Sequence, residues 1–63
     1  SLIEGRIPPL KSETYDRARQ AAPGWDVRHL ESEWRDWIVE APRDVDAAFV
    51  GFCRKWFEKR GRP

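Results

Sequence analysis

The sequence is poor in the residues that carry most enzyme chemistry. It holds one histidine, His29, one cysteine, Cys53, and no asparagine in 63 residues. A lone cysteine excludes a disulfide framework within the chain and fits a cytoplasmic protein. One His and one Cys cannot by themselves build a structural zinc site. No glycine-rich loop is present to cradle a phosphate. No apolar run is long enough to span a membrane.

The catalytic candidates that remain are bland. His29 has Glu33 one turn on, which is the pattern of a histidine on a helix surface. Cys53 precedes Arg54 and Lys55, neighbours that favour a thiolate, yet it falls on an apolar helix face, where small core residues sit. With no nucleophile–base pair, no carboxylates paired in a cleft and no metal cluster, the chain is expected not to be an enzyme. No cofactor, metal or small-molecule substrate is implied.

What the sequence has is rings and charge. Four Trp, three Phe and one Tyr give a short chain the bulk its core needs, since each ring buries roughly 150–250 Å² and a domain this small is otherwise marginal. Basic and acidic residues nearly cancel, 12 against 11, for a net charge of +1. That balance alone implies no polyanion partner. The distribution is less even: residues 26–46 carry more acids than bases, whereas five Lys/Arg and one Glu fall between Arg54 and Pro63.

Ile3-Glu4-Gly5-Arg6 reads as an engineered protease cleavage site, so residues 1–6 are expected to be a cloning remnant and residues 7–63 a single domain. Ile7-Pro8-Pro9-Leu10 is an extended lead-in. A first helix is expected over 12–22, with Ser12 as N-cap, a narrow stripe of Tyr15, Ala18 and Ala22, and a Glu13–Arg17 pair. Pro23-Gly24 ends it. A second helix is expected over 26–41, capped by Asp26 and stopped by Pro42. Its apolar side is Val27, Leu30, Trp34, Trp37, Ile38 and Ala41; Glu31 and Arg35 pair opposite, and Trp25 staples against Leu30. A third is expected over 44–60, capped by Asp44, supported by Asp46 and ended at Gly61. The fold class is all-α, a compact three-helix bundle.

The third helix carries the functional question, because Ala47–Pro63 interleaves aromatic and basic residues. At about 100° per residue, Val45, Phe52, Cys53 and Trp56 fall near Phe49 on a core face. Val50 and Phe57 lie towards one edge, Lys55 and Lys59 on the other, and Arg54 nearer the back. A basic rim of Arg54, Lys55, Lys59, Arg60 and Arg62, with Phe57 and Trp56 exposed near the frayed end of the helix, suits single-stranded nucleic acid: rings stack on bases and cations follow the backbone. The same rim equally suits a solvated helix end. Gly51 on the back of the helix gives another backbone room to approach, which makes Gly51 and Phe57 candidates for docking a protein partner. A helix-turn-helix reading puts Arg54, Lys55 and Glu58 on a recognition face. With no Asn, and Gln20 in helix 1 the sole Gln, that face lacks bidentate adenine readout.

Two segments carry a resemblance: Leu30-Glu31-Ser32-Glu33-Trp34-Arg35-Asp36-Trp37, and Asp46-Ala47-Ala48-Phe49-Val50-Gly51-Phe52-Cys53-Arg54-Lys55-Trp56. Together they resemble the small helical module of DnaT-like primosomal proteins, and segments near the C-termini of plasmid and phage replication initiators. Ala22-Pro23-Gly24-Trp25-Asp26 is similar to such initiator regions too. The resemblance implies a three-helix module of DNA replication that contacts single-stranded DNA, or docks a helicase, its loader or a primase. Arg54, Lys55, Trp56 and Lys59 are the residues it marks. The acidic second helix and small net charge depart from a strongly DNA-binding pattern.

Overall fold

The computed structural model describes residues 7–63; residues 1–6, read above as a cleavage-site remnant, lie outside them. Three helices follow the extended lead-in: α1 Ser12–Ala21, α2 Val27–Trp37 and α3 Val45–Arg60. They pack as an all-α three-helix bundle, with α3 lying chiefly against α1.

Local chemistry sets several of the boundaries. The Asp26 side chain accepts the backbone N–H of Arg28 and starts α2, and Asp44 accepts that of Ala47 and starts α3. Each satisfies a donor that the first helical turn leaves unpaired. Gly61 ends α3 at φ 71°, with its N–H bonded to the Phe57 carbonyl at 2.7 Å. Gly24 turns the chain between α1 and α2 at φ 87°. Both angles lie where a Cβ is strained.

Other boundaries differ from the sequence reading. The N-cap position of α1 is Lys11, not Ser12, and no side chain on α1 caps it. Asp46 of α3 does so from across the bundle, accepting the Lys11 N–H at 3.0 Å and the Thr14 hydroxyl at 2.6 Å. The ion pair formed on α1 is Asp16–Arg19, not Glu13–Arg17. The second helix stops at Trp37, four residues before the expected end, and Ile38 leaves it in an extended conformation, ψ 147°. Ile38 and Val39 are β-branched and stiff in a helix, and leaving early turns Ile38 onto the core.

The core is aromatic at its centre. Trp34 and Phe49 are fully buried with ring centroids 5.4 Å apart, and Tyr15 meets Phe49 edge-on at 6.5 Å. Leu30, Thr14 and Cys53 are the other large fully buried side chains, and Ala18 and Ala22 are fully buried beside them. Val50, placed at an edge by the helical wheel, is buried. Burial raises the Cys53 thiol to about 12, so it is neutral at physiological pH and chemically a small core residue.

Glu31 and Arg35 do pair, Oε2 to Nε at 2.9 Å, but facing α1 rather than away from the core. The other Glu31 oxygen accepts the Tyr15 hydroxyl at 2.8 Å, and the Arg28 guanidinium lies 4.4 Å from the centre of the Tyr15 ring. Burial first, then the Glu31 hydrogen bond, raises the pKa of Tyr15.

Candidate functional site

Trp56 organises the end of α3. Trp25 meets its ring edge-on at 5.5 Å, Phe52 lies at 5.7 Å and His29 at 6.3 Å. The Arg60 guanidinium covers it, 3.8 Å from the ring centre, a cation–π contact. The Trp56 Nε1 is sealed from solvent and meets no acceptor among the described residues. Trp25, expected to staple onto Leu30, packs against the core cluster that contains Leu30 and donates its Nε1–H to the Gly61 carbonyl at 2.7 Å. The start of α2 is thus tied to the end of α3.

A groove of about 900 Å³ opens beside this cluster, between α2 with its following connection and α3. Trp34, Ala48, Phe52 and Trp56 line its depth. Trp37 stands at its mouth, 70% exposed, with its ring 5.8 Å from that of Phe52. Val39, in the connection just after Trp37, is 81% exposed. Among the described residues these two are the exposed large hydrophobic ones. Around them the groove carries Glu33, Glu40 and Glu58 against Lys55, Lys59 and Arg60, three charges of each sign.

The sequence-derived candidates therefore separate. Lys55, Trp56, Lys59 and Arg60 line the groove. Arg54 is exposed outside it. Phe57 is half-buried against the core rather than free at a frayed end. Arg62 and Pro63 return over Gly24, where a Cβ would lie 3.2 Å from Pro63 Cδ. Gly51 faces open space, with nothing within 4 Å of where its Cβ would be. Its surroundings neither require a glycine nor show a neighbour pressed against it.

Trp37, Val39, Glu33 and Glu40 escaped the sequence reading as site residues. Trp37 fits the apolar stripe of a helix continued to 41, which hides it in the core. The signal was the stiff pair Ile38-Val39 just before Glu40-Ala41-Pro42, which marks an early helix stop.

Among the described residues no three His, Cys, Asp or Glu side chains gather to hold a metal ion. No helix of the described chain is long and apolar enough to cross a membrane. Comparison with family models, with curated proteins and with solved structures finds no match.

Proposed function

We propose that the chain is a protein-interaction module of a DNA-replication protein, and that its α2–α3 groove receives a segment of a replication partner such as a helicase, its loader or a primase. One observation carries the docking role: an apolar groove with Trp37 exposed at its mouth and equal numbers of acidic and basic groups around it. Exposed apolar area rimmed by polar residues is the usual mark of a protein contact. Aromatic rings are enriched at the centres of such contacts. The replication setting comes from the likeness of residues 30–37 and 46–56 to primosomal and initiator modules.

Binding of single-stranded DNA is the second reading. The observation that favours it is the open Trp37 ring on the same groove as Lys55 and Lys59. Against it, three carboxylates share that groove, Arg60 lies over Trp56, and Phe57 is half-buried away from it.

Titration of a fluorescent single-stranded oligonucleotide at low and moderate salt separates the two. The docking reading expects no binding even at low salt. Affinity that falls steeply as salt rises, through release of counterions from neutralised phosphates, and that is lost in Trp37→Ala, would establish the DNA reading instead.

A further inference from the structure

Building on the docking reading, we propose that the groove is polarised by charge and takes an amphipathic helix with one basic and one acidic flank. The two walls of the groove differ in sign. From α2 and its following connection come Glu33 and Glu40, with no base on that side; from α3 come Lys55, Lys59 and Arg60, with one acid, Glu58. Ala48 to Arg60 runs about 18 Å at 1.5 Å per residue, which accommodates roughly three turns of a partner helix. Its apolar face meets Trp37, Phe52 and Trp56, and each flank then faces one wall.

The occupant follows from charge complementarity. A helix acidic on both flanks sets like charge against Glu33 and Glu40. One basic on both flanks sets like charge against the three cations of α3. A helix with one flank of each sign satisfies both walls, and only in one direction along the groove. Arg60 is already held at the groove by its contact with the Trp56 ring, 3.8 Å away, so part of this charge is fixed before the partner arrives.

Three synthetic helical peptides sharing one apolar face test the proposal. One carries Lys on one flank and Glu on the other, one Lys on both and one Glu on both. Calorimetry at about 20 mM and about 150 mM salt is expected to find the mixed peptide bound ~5-fold more tightly at low salt, with the gap narrowing at high salt. The double variant Glu33→Lys, Glu40→Lys moves the preference to the all-acidic peptide. If all three bind equally at low salt and Trp37→Ala abolishes binding, docking stands and charge polarity is overturned. If none binds, the docking reading itself falls. If instead the mass of the domain rises with concentration and Trp37→Ala prevents it, a second copy is the occupant and the proposal fails.

Discussion

The Asp46 carboxylate on α3 accepts the Thr14 hydroxyl on α1 at 2.6 Å, across 32 residues of sequence. The same oxygen accepts the Lys11 N–H, so a side chain of the third helix caps the first. The Thr14 bond first, then the Lys11 bond, holds the Asp46 pKa below its ordinary value of 3.8. A carboxylate whose pKa is lowered by folding stabilises the fold above its unfolded value, and that share is lost as pH falls through the folded one. Asp46→Asn is therefore expected to be less stable than the parent at pH 7, with the difference closing at acid pH. Urea unfolding followed by circular dichroism at pH 7 and at low pH checks this.

Phe49 touches both halves of the aromatic core, through Trp34 and Tyr15. Phe49→Ala should cost about 3–5 kcal/mol, comparable to the whole stability of a single core this small. It is expected to be unfolded at 25 °C, with a poorly dispersed proton NMR spectrum. Trp37→Ala removes a larger ring that is 70% exposed and should leave the thermal midpoint nearly unchanged.

Two glycines give opposite expectations. Gly24 sits at φ 87° with Pro63 close above it, so Gly24→Ala should lose about 1–2 kcal/mol. Gly51 lies inside α3 with open space at its Cβ position, so Gly51→Ala should gain about 0.5–1 kcal/mol. Thermal melts should separate the pair, with Gly24→Ala below the parent and Gly51→Ala above it. Both melting below the parent would contradict the open environment of Gly51.

The Cys53 thiol, buried and raised to about 12, should resist a disulfide reagent at pH 8 while the fold is intact. Modification is expected to follow unfolding, so labelling should speed up in step with denaturant. Fast labelling of the folded domain would contradict its place in the core.

Legibility from sequence followed the range of the interactions. Asp26, Asp44 and Gly61 act on their own helix ends, within four residues, and their roles are readable from order alone. The contacts of Asp46 with Thr14 and of Trp25 with Gly61 span 32 and 36 residues, and no local pattern announces them. The groove was hidden for a related reason. Helical periodicity extends α2 through Ala41 and buries Trp37, whereas packing of Ile38 on the core ends the helix at Trp37. The basic–aromatic alternation of Ala47–Pro63 proved mostly segregated in space. Phe49 and Cys53 are core, Lys55, Trp56, Lys59 and Arg60 face the groove, and Arg54 and Arg62 lie elsewhere.

The central claim is that Trp37 stands where a partner protein docks. The most direct measurement places a photo-crosslinking amino acid at position 37, with position 20 on exposed α1 as control, in cells of the native host. Irradiation is expected to yield a discrete polypeptide adduct from position 37, identified by mass spectrometry as a replication protein, and none from position 20. Adducts to nucleic acid at position 37, or the same products from both positions, would contradict the account.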